Sequence, residues 1–209
     1  MYLSVCKFLF WKRWGSIPCL FFFLFFFSLN AHSRNLEFVP TLLPDIKSVY
    51  DVFDRMRTDY QEQAQCSNMA HVWTYEEFKE SGTKAMKVFL FFTNRYIKKY
   101  RFEWWFHVAP LYFYKDGEKI IPQVLDRRYT TLPLDVDTWT EHFIESGKRC
   151  KKIMHYREYN RNDRNEDCFV LPVSMYYWQP RNIRLDSKSG KVKTQFHQGE
   201  LNRAYTEAF

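Results

Sequence analysis

The feature that most constrains this fold is a pair of apolar segments that ends in a hairpin turn. Lys87–Thr93 (KVFLFFT) is almost wholly apolar, which is typical of a strand buried on both faces. The aromatic segment Tyr100–Tyr114 leads into Lys115–Glu118, whose Asp-Gly pair is a strong signal for a tight hairpin. Lys119–Asp126 then returns as the partner strand. These segments predict an antiparallel sheet that other elements must cover.

Segments on either side of this hairpin have the apolar spacing of helices. Helices are predicted over residues 43–60, 66–82, 134–146 and 199–209. CFVLPVSMYYW (168–178) predicts one more strand. We therefore predict an α+β fold in which a helix that begins at Cys66 packs against an antiparallel sheet.

The first 31 residues have the composition of a secretory leader. Three basic residues precede a 14-residue apolar run, Ser16–Leu29, and Ala31 is a small residue suited to the last leader position. The run is shorter than the roughly 20 apolar residues of a membrane span. We therefore predict a signal peptide over residues 1–31 and a single domain over residues 32–209, in a secreted or periplasmic protein. Leu29 is a poor residue for the third position before cleavage, so an uncleaved anchor is the alternative.

Charge and short motifs exclude several classes of partner and cofactor. Lysine and arginine exceed aspartate and glutamate by 31 to 24, and part of this excess belongs to the leader. No stripe of basic and aromatic residues indicates nucleic-acid binding. The sequence also lacks CxxC, HExxH, GxSxG and a glycine-rich phosphate loop. We predict no metal, no cofactor, no nucleic acid and no stable membrane association after cleavage, in a monomer.

Three cysteines follow the leader: Cys66, Cys150 and Cys168. An odd number in an oxidising compartment suggests one pair and one free thiol. Cys150 and Cys168 flank a polar loop and are the predicted disulfide, which leaves Cys66 free. A free thiol outside the cell is exposed to oxidation, so its presence suggests a chemical role. The alternative is that all three thiols are free and buried.

Cys66 lies where a nucleophile can be activated. At a helix N-terminus the dipole favours a thiolate, and free backbone N–H groups can bind an oxyanion. His71 is five residues further, about 140° around the helix, and points elsewhere. His107 falls nearly opposite Asp126 across the hairpin, and a buried imidazole needs such a partner. A Cys66–His107–Asp126 triad is therefore a candidate, with a hydrogen-bonded core histidine as the alternative.

Two aromatic residues are candidate substrate contacts. The period of two in a strand places Trp105 on the face of His107, where it could form a wall of the site. Tyr176, in SMYYWQP (Ser174–Pro180), could contribute an aromatic lip. For both residues, packing in the core is the alternative.

CSNMAHVW (66–73), FEWWFHVAP (102–110) and QVLDRRY (123–129) together resemble the bacterial protein-glutaminase family. Members are secreted cysteine enzymes that deamidate glutamine side chains in proteins, and they are distantly related to transglutaminases and papain-like enzymes. Cys66 and His107 are 41 residues apart, and His107 and Asp126 are 19 apart. The resemblance implies a papain/transglutaminase-like core and the catalytic residues Cys66, His107 and Asp126. It also implies protein or peptide substrates with exposed glutamine.

The short segment before Cys66 differs from that family. Secreted members of the family carry a long pro-segment that blocks the site. Here only 34 residues lie between Ala31 and Cys66. The expected chemistry is a γ-glutamyl thioester on Cys66, hydrolysed by water to glutamate. An amine acceptor would give a transglutaminase, and a backbone amide substrate would give a peptidase. The non-enzymatic alternative is an exported binding domain with an inert Cys66.

Overall fold

A computed structural model describes residues 38–209, so the predicted leader lies outside the described residues. The helices are α1 (Ile46–Arg55), α2 (Cys66–Ser81), α3 (Asn94–Tyr100), α4 (Val136–Glu141), α5 (Pro180–Ser189) and α6 (Gln198–Ala208). The strands are β1 (Leu42–Leu43), β2 (Met86–Phe92), β3 (Phe106–Asp116), β4 (Lys119–Val124), β5 (Lys151–Lys152) and β6 (Cys168–Ser174).

The sheet has the order β1-β3-β2-β6-β5, and β4 pairs with β3. The long strands pair antiparallel, whereas the two-residue strands β1 and β5 pair parallel with their neighbours. Strand β2 pairs with β3 on one edge and β6 on the other. Its alternate residues enter two different apolar clusters, with Leu90 in one and Phe89 and Phe91 in the other, so both faces are covered, which explains its run of apolar residues. The hairpin is confirmed: Asp116 pairs with Lys119, and Gly117 takes a positive φ of 60° in the turn.

Helix α2 lies against strand β3, as predicted. Met69 and Trp73 on α2 share an apolar cluster with Phe53 on α1 and Tyr112 on β3. A second cluster brings α4 against the sheet, where Trp139 is fully buried. The α+β class and the packing of the Cys66 helix on an antiparallel sheet are therefore confirmed.

The long aromatic strand predicted from Tyr100 is wrong at its start. The Thr93 hydroxyl accepts a hydrogen bond from the Tyr96 amide and caps α3, a helix that was not predicted. Arg101 ends that helix in the left-handed region, with φ of 51°. As a result β3 begins only at Phe106, and Trp105 precedes the strand. The strand periodicity that placed Trp105 beside His107 does not extend that far.

Cys150 and Cys168 form a disulfide with an S–S distance of 2.03 Å, which joins the segment before β5 to the start of β6. Cys66 is the free cysteine of the described residues. None of the helices between residues 38 and 209 is long and apolar enough to span a bilayer.

Candidate active site

Cys66 is the first residue of α2 and is partly exposed in a cavity of about 540 Å³. The preceding residue, Gln65, has extended backbone and makes no side-chain cap. Its carbonyl accepts from the amides of Asn68 and Met69. The amides of Cys66 and Ser67 have no hydrogen-bond partner within residues 38–209. Two free N–H groups therefore accompany the thiol at the positive end of the helix dipole.

His107 lines the same cavity and is held by a buried carboxylate. His107 Nε2 lies 2.6 Å from Asp126 Oδ2, and both side chains are almost completely buried. Asp126 Oδ2 also accepts a hydrogen bond from Trp139 Nε1 at 2.9 Å. His107 Nδ1 is buried and has no hydrogen-bond partner in the described part of the chain. One imidazole nitrogen is thus fixed by Asp126, and the other is available to Cys66.

The electrostatic environment favours a protonated His107. Burial by itself lowers the pKa of an imidazole, but the charge of Asp126 and then that of Cys66 outweigh this effect. Together they raise the pKa of His107 to about 10. The arrangement therefore stabilises an imidazolium between a carboxylate and a sulfur.

An aromatic cage fixes the plane of the His107 ring. Trp104 stacks on the imidazole at 5.9 Å between centroids, and Phe143 lies against it at 4.5 Å. Tyr129 meets the ring edge-on at 5.0 Å. Trp104 is 38% exposed and lines the cavity, so it covers the imidazole on the solvent side. Neither Trp104 nor Trp139 was predicted to belong to the site, although Trp104 lies within the segment FEWWFHVAP.

The two predicted substrate contacts fare differently. Trp105 lines the cavity, but its ring stacks on Phe91 rather than on His107. Tyr176 does not line the cavity, and the prediction for it is wrong. The chain turns after β6 and takes Tyr176 to another part of the molecule, where its ring contacts Phe38 and Phe196.

His71 lies on the opposite side of α2 from the cavity, as its angular offset predicted. Its Nδ1 is 2.7 Å from Lys87 Nζ, and both side chains are fully buried. Lys87 Nζ also donates to the Tyr177 carbonyl at 2.9 Å. Burial, and next the charge of Lys87, lower the pKa of His71, and burial likewise lowers the pKa of Lys87. This pair links α2 to β2 and takes no part in the cavity.

Arg128 is a further residue that the sequence reasoning missed. Its guanidinium donates to the carbonyl of Ala64 at 2.6 Å and to that of Glu62. It therefore ties the loop that leads into Cys66 to the turn that follows Asp126. Since no pattern in the sequence links residue 128 to residues 62–64, only the folded chain reveals this contact.

A second cavity of about 500 Å³ lies among α1, α2 and α6. Two of its three acidic residues are partnered: Glu77 pairs with Arg55 at 2.8 Å, and Glu76 lies 3.4 Å from Arg57. It contains no nucleophile beside a base. Across residues 38–209, no three His, Cys, Asp or Glu side chains are grouped so as to hold a metal.

A protein-family model described as glutaminase matches residues 42–143, a range that contains Cys66, His107 and Asp126. The match covers just under half of the chain and supports its assignment to the glutaminase family. The chain is a deamidating hydrolase, and a free cysteine beside a histidine is consistent with a cysteine-dependent one. A search of curated proteins gives no match for this glutaminase.

Two solved structures are similar to this glutaminase. One is the NMR structure of protein-glutaminase from Chryseobacterium proteolyticum, with 12% identity and a TM-score of 0.49, covering 79% of this chain and 86% of that one. The other is a crystal structure of protein-glutaminase, with the same identity, TM-score and coverage.

Proposed function

We propose that this chain converts glutamine side chains of proteins to glutamate, with Cys66 as nucleophile, His107 as base and acid, and Asp126 as the group that orients His107. The observation that carries the proposal is the series of contacts around His107. Asp126 fixes Nε2, Nδ1 is left free, and Cys66 lies in the same cavity. The glutaminase family match supplies the reaction class.

The reaction begins when His107 takes the thiol proton, which gives a thiolate and an imidazolium. The thiolate attacks the side-chain carbonyl carbon of glutamine, and the resulting oxyanion is bound by the free amide of Cys66. The imidazolium gives its proton to the nitrogen, the C–N bond breaks, and ammonia leaves. A γ-glutamyl thioester remains on Cys66.

Water then completes the reaction. His107 accepts a proton from water as the water oxygen attacks the thioester carbon, and the C–S bond breaks to release glutamate and the thiolate. The sum is glutamine and water giving glutamate and ammonia. Asp126 keeps the proton on Nε2 of His107 throughout, so that Nδ1 faces the reacting atoms.

The test is ammonia release from a peptide with one glutamine, together with the mass of the peptide. We expect a gain of about one dalton, which is the replacement of NH₂ by OH, with no change in chain length. Cys66→Ala and His107→Gln should reduce the rate by at least about 1,000-fold. His197→Gln, at an exposed histidine at the start of α6, is the matched control and should keep the wild-type rate.

Other products would replace the proposal. Cleaved peptide would indicate a peptidase, and a product joined to an added amine would indicate a transglutaminase. Full activity in Cys66→Ala would exclude the thioester. We also propose a monomer, which gel filtration with light scattering tests.

We further propose that residues 1–31 are a signal peptide and that residues 32–209 are the exported domain. The disulfide between Cys150 and Cys168 supports this, because such bonds persist in oxidising compartments. N-terminal sequencing of protein recovered outside the cytoplasm should start at His32. A chain that keeps Met1 and stays with the membrane would instead be anchored.

A further inference from the structure

Positive charge borders the active-site cavity on the side of Trp105. The Arg161 guanidinium lies over the Trp105 ring, 5.5 Å from its centroid, and Trp105 lines the cavity that holds Cys66. Arg161 Nε donates to Asn94 Oδ1 at 2.9 Å, which fixes the side chain in this position. The charge therefore lies beside the cavity, and the ring contact and this hydrogen bond favour that position.

Arg184 on α5 extends this positive border. Helix α5, which carries Arg184, packs against the turn Tyr156–Glu158. Burial raises the pKa of the Tyr156 hydroxyl, and the nearby charges of Arg184 and then Arg161 oppose that rise. Ile183, the neighbour of Arg184, packs into the same apolar cluster as Tyr156 and Trp105. Two arginines thus flank a continuous aromatic surface that ends at the cavity.

Neither arginine is neutralised by an acid within residues 38–209. No carboxylate of the described chain is within salt-bridge distance of Arg161 or Arg184. Three of the four acids of the same loop are engaged elsewhere: Glu158 accepts from the His155 amide at 2.8 Å, Asp163 accepts from the Glu166 amide at 3.0 Å, and Asp167 pairs with Arg95. The guanidiniums are free to bind an external anion.

The charge of the described chain is concentrated in the same part of the sequence. Residues 148–191, which we call the basic segment, hold eleven lysines and arginines against five acids. Residues 38–147 hold fourteen against sixteen. The disulfide between Cys150 and Cys168 closes the loop that carries Arg161, and this loop packs on the sheet through Tyr159 and Phe91. The surface is therefore held in shape before any partner binds.

We propose that Arg161 and Arg184 form a docking surface for acidic segments of the protein substrate, so that glutamines near aspartate or glutamate are preferred. This inference rests on the proposed deamidation. A carboxylate can accept two parallel hydrogen bonds from one guanidinium, and the aromatic rings between the arginines can pack on the peptide. Such contacts orient the segment that carries the glutamine towards Cys66.

Two carboxylates also line the cavity, and they would favour basic rather than acidic residues beside the glutamine. Glu62 and Glu103 are exposed and form no salt bridge with a residue between 38 and 209. Glu62 precedes Cys66 in the loop bound by Arg128, and Glu103 is next to Trp104. If these two acids governed selection, the preferred flanking residues would be basic.

The test compares three peptides with one glutamine, flanked on both sides by two aspartates, two serines or two lysines. We expect kcat/KM for the aspartate peptide to exceed that for the serine peptide by about two- to tenfold in low salt, because two exposed ion pairs form. The preference should fade at about 0.5 M salt. In Arg161→Gln/Arg184→Gln the ratio should fall to about one, and Arg161→Lys/Arg184→Lys should keep most of it.

The matched control removes two positive charges elsewhere. Lys115→Gln/Lys119→Gln, at the β3–β4 hairpin, should keep the wild-type ratio and rate. Equal rates on all three peptides, or a preference for the lysine peptide, would overturn this inference alone. Binding to anionic lipid vesicles without any peptide preference would assign the surface to a membrane and also overturn it. No ammonia from any peptide would overturn the proposed function, and this inference with it.

Discussion

At the scale of single residues, the site depends on how one carboxylate oxygen is shared. Asp126 Oδ2 accepts a hydrogen bond from His107 Nε2 and another from Trp139 Nε1, so two donors fix the position of this oxygen. A buried carboxylate without such partners would be costly. The arrangement fixes both the position of the imidazole and its charge.

The raised pKa of His107 predicts the alkaline limb of the pH profile. Its folded pKa of about 10 lies above the value of about 6.5 for an unfolded histidine. The stabilisation that the proton supplies is therefore full below pH of about 6.5 and is lost as pH rises through about 10. We expect the deamidation rate to fall over the same upper range, because His107 then lacks the proton for the leaving ammonia. Rates measured from pH 7 to 11 test this.

Asp126→Asn is the companion variant for that profile. Loss of the carboxylate charge lowers the pKa of His107, so the alkaline limb should move to lower pH. We expect kcat to fall by about 100- to 10,000-fold. A limb that stays in place would mean that another group titrates there.

Trp139→Phe tests whether the indole donor positions Asp126. The variant keeps the aromatic volume but removes the N–H, so unfolding free energy should fall by about 1–3 kcal/mol. We expect kcat to fall while KM changes little, since the imidazole is less firmly oriented. Trp73→Phe is the control. The Trp73 Nε1 donates a hydrogen bond of 3.0 Å to the Arg57 carbonyl, and neither residue lines the cavity that holds Cys66. This control should lose stability and keep kcat, and equal kcat losses in both would contradict a positioning role for Trp139.

At the scale of elements, the start of α2 is set by tertiary contacts as much as by its own sequence. Gln65 is a weak cap, and no side chain caps the helix. Arg128 compensates by holding the carbonyls of the loop before Cys66. On the opposite side of α2, the hydrogen bond between His71 and Lys87 links the helix to β2. The nucleophile is therefore positioned from both sides of its helix.

Arg128→Lys should disturb that positioning without unfolding the chain. A single ammonium cannot bind two carbonyls with the geometry of a guanidinium. We expect kcat/KM and the rate of Cys66 alkylation by iodoacetamide to fall by about 10- to 100-fold. Arg127→Lys, at the adjacent residue whose partner Asp54 is 3.7 Å away, should change neither rate. Unchanged alkylation in Arg128→Lys would show that the loop before Cys66 needs no such support.

Element prediction from the sequence succeeded where local patterns were strong. The helices at Ile46 and Cys66, the buried strand β2 and the Asp-Gly hairpin all have periodicity or turn chemistry of their own. Helix α3 was missed because its aromatic residues resemble a strand and its cap, Thr93, follows a strand directly. Because α3 was missed, the predicted strand began too early. Trp105 was therefore predicted to lie beside His107, where the structure has Trp104.

At the scale of the whole molecule, the disulfide closes a loop that joins the sheet to the proposed docking surface. Removing it in Cys150→Ser/Cys168→Ser should lower the unfolding free energy by about 2–4 kcal/mol, because the unfolded chain gains freedom. Urea unfolding of the variant and the wild type measures this. We expect the variant to deamidate the serine-flanked peptide at urea concentrations below its unfolding midpoint, since neither cysteine lines the cavity. Loss of that activity in the folded variant would mean that the loop shapes the site itself.

The sequence by itself determined the α+β class, the hairpin and the grouping of Cys66, His107 and Asp126 as candidates. These follow from periodicity, turn chemistry and spacing, which are local properties of the chain. Only the tertiary structure decided that Trp139 shares Asp126, that Trp104 covers His107 and that Arg128 holds the loop before Cys66. It also decided that Tyr176 lies elsewhere. Such contacts join residues distant in sequence, and they depend on the register of β3 and the packing of α2 and α4, which no short segment encodes.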